Sequence, residues 1–593
     1  MSTRQIRYTV ATNDLHGHYF DIKLSIPKAI HLGNPLTLQL PAWIPGSYML
    51  RDFSKHLERI SANTAIKKID SHTWVTAGAH QDIEVTYSVY AFDTSVRTAY
   101  LDQYRGFFNA TSLCLQVLEH ADKACELELL EPKHSSSKWQ IETTLKSLKI
   151  NHRGFGLYQA HNYDTLIDHP VAMGEFQTIR WQAYGVPHAM VIQGAINQVD
   201  TEQLAKDLEA ICEAHIAFFE PEAKRAPFQQ YKFIVNAVGD GYGGLEHRDS
   251  TVLLCKREDL PYPGQTPASH AAYEDFLGLC SHEYFHAWMI KRVKPKAFQP
   301  YALDRRNHTH LLWLFEGFTS YYDDLQLFRS KRIKLPAYLK RIEKTWNAVL
   351  KSPGRHKQSV SESSFDAWTK YYQMDENTPN AVVSYYTKGS LIALALDLLI
   401  REHTRHQQSL DDVMRHLWQM YQLTEEGMGE KDFDHAIAFI LGKSFEKTWH
   451  QFRKNYIDGT EDLPLKELLS KAHVSITAKQ SSGAEDADAA KQLLGVRTSA
   501  INGWVKLSHV LTDGLAELAG LAAGDVLSSI NGERVTPARI DQLLIHVMQQ
   551  LARKENVAVH AFRHEAALTV TIRVKHLQDV LPAVQYTLAP AKD

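Results

Sequence analysis

The chain of 593 residues is 44% hydrophobic and 22% charged, with 65 Lys plus Arg against 68 Asp plus Glu. At roughly 100 to 200 residues per domain it is long enough for several domains, and its composition excludes a disordered or collagen-like polymer. A formal net charge of -3 sets up no global field for nucleic acid or acidic lipid, so neither is expected as a partner.

The opening MSTRQIRYTV has no apolar core before a small-residue cleavage site, so no secretory leader is expected. Residues 1–175 carry short β-type runs such as IRYTVAT, YFDIKLSI and IEVTYSVYAF between Asn, Gly, Pro and Asp punctuation, which predicts an antiparallel β domain. Residues 176–460 change pattern. A strand-like YKFIVNAV (Tyr231 to Val238) precedes long apolar stretches at helical spacing around Ser269 to Val293, Leu311 to Arg329 and Val382 to Arg401, predicting an α/β domain with a helical lower half. Residues 461–593 are expected to form a compact β-rich module, with the small, polar stretch 478–491 (AKQSSGAEDADAAK counted from Ala478) as a flexible loop. The fold class is therefore multidomain α+β. The most apolar run, Leu391 to Ile400, carries Asp397 and falls short of the roughly 18 residues a membrane span needs. Five cysteines, Cys114, Cys125, Cys212, Cys255 and Cys280, are odd in number and mostly set in apolar sequence, which suits buried reduced thiols and a cytoplasmic location. In such a chain the sequon at Asn109 carries no weight.

The segment that carries chemistry is Cys280-Ser-His-Glu-Tyr-Phe-His-Ala-Trp288, with His282, Glu283 and His286 in an HExxH pattern inside a helical stretch. Residues four apart share a helix face, so both imidazoles reach one ion while Glu283, one step round, points beside them at a bound water. A third ligand is required, and Glu316 in WLFEGFTSYY is the candidate carboxylate. Two His and one Glu leave an open position on zinc, as in catalytic sites. A non-haem iron triad has the same ligand types but no role for Glu283, whereas zinc hydrolysis needs a general base there. His308 and His310, in NHTH ahead of Glu316, are alternative ligands but read as solvent-facing. Asp323 and Asp324 either orient a ligating imidazole or lie on a solvated helix face. The basic run Lys291 to Lys296 reads as helix-terminal cations matching the helix dipole.

With HEYFHAW, WLFEGFTSYY and SYYTKGSLIALALDLL in hand, the sequence resembles the glycyl aminopeptidase family of zinc metallopeptidases, gluzincins with a thermolysin-like catalytic domain and a C-terminal PDZ domain. PAWIPGSYMLRDF (Pro41 to Phe53) and RGFFNATSL (Arg105 to Leu113) look like that family's β domain, so the match covers nearly the whole chain. The resemblance implies one Zn2+ per chain, held by His282, His286 and Glu316. It also implies that Gly243, Gly244 and Glu246 form the edge strand that binds the substrate backbone, with Glu246 holding the free α-amine. Gly244 and Leu245 before the Glu, and His247 after it, depart from the aminopeptidase pattern. Tyr386, in Tyr-x-Lys-Gly, takes the place of the phenol that stabilises the oxyanion, in preference to the adjacent Tyr385.

The tail from Gly514 to Gly532 resembles a PDZ stretch, with AGL and GD leading into a strand that ends in NG. Leu494, Gly495 and Val496 are then the expected carboxylate-binding loop, in which backbone N–H groups hold a C-terminal peptide ligand. The expected function is removal of small N-terminal residues, Gly and then Ala, from peptides with a free N-terminus. Two readings compete with it: a zinc endopeptidase with PDZ-selected substrates, and a non-catalytic PDZ-bearing scaffold.

Overall fold

The structure is a computed structural model that describes residues 5–132, 138–195, 198–580 and 583–591, so the first four residues of the opening segment lie outside it. The chain divides into two compact units, one of residues 1–308, 322–333 and 413–436, the other of 309–321, 334–412 and 437–593.

In the first unit, strand Ile6–Asp14 alternates buried and half-exposed residues, with Ile6, Tyr8 and Val10 inward, the period-two pattern that the sequence shows. It sits at the centre of a seven-stranded sheet ordered Lys146–Ile150, Gly156–Ala160, Cys125–Leu129, Ile6–Asp14, Tyr19–Ile26, Ile83–Tyr90, Leu57–Ala62. The sheet departs from the all-antiparallel expectation at one pair: Ile6 to Val10 run parallel to Cys125 to Leu129. Two four-stranded sheets complete the N-terminal region. A five-stranded sheet follows, ordered Gln177–Ala183, Val186–Gln193, Tyr231–Val238, Ser250–Lys256, Gly243–Glu246. Its central strands pair in parallel and are buried along continuous apolar runs such as Phe233, Ile234 and Val235. Gly243–Glu246 is an edge strand, hydrogen-bonded to Ser250–Lys256 on one side.

Helix Ala271–Phe285 packs in the same unit and is buried almost all round, which explains its weak amphipathic signal. The basic run after it is the first correction. Lys291 and Lys294 are 4% and 7% exposed; Lys291 pairs with the buried Asp168 and Lys294 lies 4.8 Å over the Tyr301 ring, so the helix dipole alone does not account for them.

In the second unit, helix Thr387–His403 is buried from Lys388 to Asp397. Gly317 and Gly389 let it meet the helical run Gly317–Arg329 at backbone contact: a Cβ on Gly317 would lie 2.6 Å from the Gly389 Cα. Helix Leu335–Leu350 packs against strand Ala583–Pro590, which pairs antiparallel with Val474–Ser481. Trp346 stacks on Tyr586 at 4.2 Å, and Asn347 exchanges two hydrogen bonds with the Tyr586 backbone.

The expected flexible loop 478–491 is therefore wrong over most of its length. Its first residues belong to strand Val474–Ser481, and its last to helix Ala487–Leu494, whose first turn is capped by the Asp486 carboxylate. The expected carboxylate-binding loop lies at the end of the same helix. Leu494 is its last residue, Gly495 is its left-handed cap with its N–H donated to the Gln492 carbonyl, and Val496 pairs with Val510. Beyond it, a sheet with Val496–Ile501, Trp504–Val510, Val526–Ile530, Val557–Arg563 and Ala566–Ile572 encloses, with helices Leu515–Ala519 and Ile540–Ala552, a separate core around Leu507, Leu527, Val547 and Val559. All five cysteines are free and buried. Among the described residues no helix is long and apolar enough to cross a membrane.

Candidate metal centre and substrate strand

His282 and His286, one helical turn apart, present their Nε2 atoms to each other at 3.1 Å. The other ring nitrogens are engaged: His282 Nδ1 lies 2.9 Å from Asp323 Oδ2 and His286 Nδ1 3.1 Å from the Met289 carbonyl. Both of those partners accept, so each imidazole carries its proton on Nδ1 and turns an Nε2 lone pair inward. Two lone pairs face each other at this distance when a cation lies between them. Glu316 supplies the carboxylate: one ligand atom each from His282, His286 and Glu316 lie within 4.8 Å of one another. This donor set, two imidazoles and one carboxylate, fits zinc.

Helical backbone bonds run through Glu316, from its N–H to the Leu312 carbonyl at 2.8 Å and from Ser320 N–H to its own carbonyl at 2.9 Å. Asp323 therefore lies two turns further along the same helical run. Ser281 ties the Asp323 backbone to the His helix, donating its hydroxyl to the Asp323 carbonyl at 2.9 Å while His215 Nε2 approaches that hydroxyl at 2.9 Å. Burial, with the Arg329 charge adding to it, pushes His215 down to about 3, so it stays neutral. The Asp324 backbone N–H donates to the other Asp323 carboxylate oxygen, Oδ1, at 2.5 Å. His308 and His310 are exposed, and His310 stacks on Phe365.

Glu283 is buried beside the edge strand. A Cβ on Gly244 would fall 2.1 Å from Glu283 Oε1, so only glycine leaves room for that carboxylate. At the other end of the strand the Glu246 carboxylate, 4% exposed, rests on Gly46, where a Cβ would fall 2.6 Å from Oε1. The turn after Glu246 is pinned by Asp168, whose carboxylate takes the Lys291 ammonium at 2.6 Å, the Arg248 backbone N–H at 3.1 Å and His247 Nδ1 at 3.4 Å. Burial alone would raise Asp168, but Lys291, Arg248 and His247 outweigh it and hold the carboxyl well below its usual range. The buried basic run thus anchors the Glu246 turn to the end of the His helix, a role that the sequence does not reveal because Asp168 is remote in the chain.

Tyr386 opens helix Thr387–His403 and is half-buried, its hydroxyl 3.3 Å from that of Tyr372. Tyr385 is fully buried, its ring 4.8 Å from those of Tyr371 and Tyr386. Tyr385 therefore packs, and Tyr386 retains the accessible phenol. Tyr371 and Tyr372, which shape this cluster, carry no sequence signal beyond being adjacent aromatics.

Residues 7–175 match the peptidase M61 N-terminal domain and residues 275–392 the M61 glycyl aminopeptidase family. A solved aminopeptidase N family protein from Idiomarina loihiensis is 37% identical over 99% of this chain and 98% of its own, with a TM-score of 0.89. The chain belongs to the M61 glycyl aminopeptidase family and is a zinc peptidase. An M1 zinc metallopeptidase from Deinococcus radiodurans is 12% identical, covering 78% of this chain and 97% of its own at a TM-score of 0.46. Native yeast LTA4 hydrolase is 11% identical, covering 82% and 72% at 0.47. Both are too distant to bear on the chemistry. No curated protein matches the chain.

Proposed function

We propose that this M61 peptidase is an aminopeptidase that removes small N-terminal residues, Gly and then Ala, with one zinc per chain held by His282, His286 and Glu316. The observation that carries this reading is the strand Gly243–Glu246, which has the base Glu283 against Gly244 at one point and the Glu246 carboxylate two residues on. At about 3.3 Å per extended residue those points are roughly 7 Å apart, room for a single residue between an anchored ammonium and an attacked carbonyl. A charged α-amine gains a charge-assisted bond at Glu246 that an acylated one cannot form.

Zinc, when bound, supplies a Lewis acid that lowers the pKa of water and polarises the scissile carbonyl. Glu283 accepts the proton of the attacking water and returns it to the leaving amine. Gly243 and Gly244 take the substrate backbone along the strand's open edge. Tyr386 donates its phenol to the developing oxyanion. Tyr372 and Tyr371 fix that phenol.

By residue number the reading has three parts: a β domain over 1–175, a thermolysin-like zinc domain over 176–460 and a PDZ-type module over 461–593. The strand and helix order after Val496 supports the last. Its ligand is left unassigned, because the helix Ala487–Leu494 packs against Ile540–Ala552, with Lys491 paired to Asp541 at 2.6 Å. The buried free thiols support a reducing, cytoplasmic setting.

Hydrolysis of Gly-, Ala- and Leu-p-nitroanilide, compared with an N-acetyl-Gly substrate, tests the reading. Turnover of the free-amine Gly and Ala substrates alone, abolished by a zinc chelator, is expected. Equal turnover of the acetylated substrate would establish an endopeptidase instead.

A further inference from the structure

Arg97 lies in the loop between strands Ile83–Tyr90 and Ala99–Leu101, far in sequence from any zinc-site residue. The buried Asn109 side chain holds that loop, donating to the Val96 carbonyl at 3.0 Å and the Thr98 carbonyl at 3.4 Å. The guanidinium is delivered to the Gly243–Gly244 end of the edge strand. One terminal nitrogen donates to the Gly244 carbonyl at 3.4 Å, and the other would lie 4.0 Å from a Cβ on Gly243. Its Nε is buried without a hydrogen-bond partner, and among the described residues no carboxylate pairs with Arg97. A guanidinium offers five donors in a planar fork suited to a carboxylate. Here a single long bond to a carbonyl uses one of them.

The direction of the substrate follows from the proposed role of Glu246, on which this inference rests. With the ammonium at Glu246, the C-terminal end of the strand, a peptide lying along the open edge runs antiparallel to it. The first carbonyl then reaches Glu283 beside Gly244, and the next residue reaches Gly243. Arg97 stands at that position. We propose that Arg97 receives a carboxylate carried by the residue that follows the scissile bond, making short peptides with a negative charge at that point the preferred substrates. A chain terminus and an acidic side chain offer the same chemistry there.

The test compares kcat/KM for Gly-Ala, Gly-Ala-amide and Gly-Asp-amide in the wild type, Arg97→Gln and Arg97→Ala, with Gly-p-nitroanilide as a substrate that has no carboxylate. Gln keeps a donor for the Gly244 carbonyl and removes the charge. A charge-assisted hydrogen bond lost on one side only corresponds to about tenfold or more, so the wild type should prefer Gly-Ala over its amide by that factor. Both variants should bring the ratio close to one. A matching preference for Gly-Asp-amide, lost in the variants, identifies the side chain as a source; its absence leaves the terminus. A wild-type ratio near one for both Gly-Ala and Gly-Asp-amide, or a ratio that survives in both variants while all rates fall together, overturns the assignment and reduces Arg97 to a brace for the strand. If that occurs with chelator-sensitive turnover of Gly-p-nitroanilide, the aminopeptidase reading still stands. If no free-amine substrate is turned over, both fail.

Discussion

The Nδ1 atom of His282 and the Oδ2 atom of Asp323 lie 2.9 Å apart, joining the His helix to the helical run that carries Glu316. The carboxylate fixes the imidazole tautomer and makes Nε2 more basic, which would strengthen it as a ligand in the proposed zinc site. Asp323→Asn keeps the shape, but its amide is free to turn its NH2 toward the ring. Zinc affinity, measured by competition with a chromophoric chelator, should fall about 10- to 100-fold. Unchanged affinity would remove Asp323 from the metal centre.

Glu283 is buried on the strand side of the same helix, one residue after His282. Glu283→Gln removes a proton acceptor and no ligand. Zinc content should stay near one per chain while kcat falls by about 10²–10⁴-fold, the usual range for a general base. Peptide hydrolysis at the wild-type rate would exclude this mechanism.

The HExxH turn, Glu316 and the strand alternation were legible because each is a local pattern: ligand spacing on one helix, or a period of two along one strand. What escaped depends on partners remote in sequence. Lys291 and Lys294 look like solvated helix-terminal cations until Asp168, more than a hundred positions earlier, is found against Lys291. The stretch 478–491 looks like a linker because its strand finds its mate only at Ala583–Pro590 and its helix is built from Ala and Asp, residues that also make loops. Asp323 was visible as an option, since two turns separate it from Glu316, but burial decided between ligand support and a wet face. Arg97 left no trace, because nothing in its loop says which strand it meets.

Gly244 is the position where that strand tolerates no side chain. Gly244→Ala puts a methyl 2.1 Å from Glu283 Oε1, and the glycine has no positive φ, so the clash and not the backbone is the problem. The base must move. Peptidase activity should fall at least as far as in Glu283→Gln, with a circular dichroism spectrum like that of the wild type. Full activity would show that Glu283 works from another rotamer.

Two buried histidines make the fold sensitive to acid. Burial lowers His188 to about 4, partly opposed by its bond to the Val186 carbonyl, and lowers His215 to about 3. Both titrate near 6.5 when unfolded, so the unfolded chain binds more protons between those values. Their contribution to stability is complete above pH 6.5 and is lost as the pH falls toward 4 and then 3, each group costing on the order of 1.4 kcal/mol per pH unit. The urea midpoint should drop across that window. His215→Gln, which retains a donor for Ser281, should flatten the drop; an unchanged slope would place the acid sensitivity elsewhere.

Lys388 poses the opposite question, because it is a charge that the fold holds at a cost. Its side chain is 1% exposed and its Nζ has no hydrogen-bond partner among the described residues. Burial pushes the ammonium down to about 8; Asp462 pulls it up and Arg355 down again. The unfolded value near 10.4 is higher, so stability is missing below pH 8 and recovers as the pH rises from 8 toward that value. Lys388→Met fills similar space without the charge. Its thermal midpoint should exceed that of the wild type at pH 7, and the advantage should shrink as the pH approaches 10. A lower midpoint at pH 7 would mean that the ammonium is itself a structural cation, favourably placed between Asp462 and the helix it sits on, and that desolvation is not the dominant effect at this site.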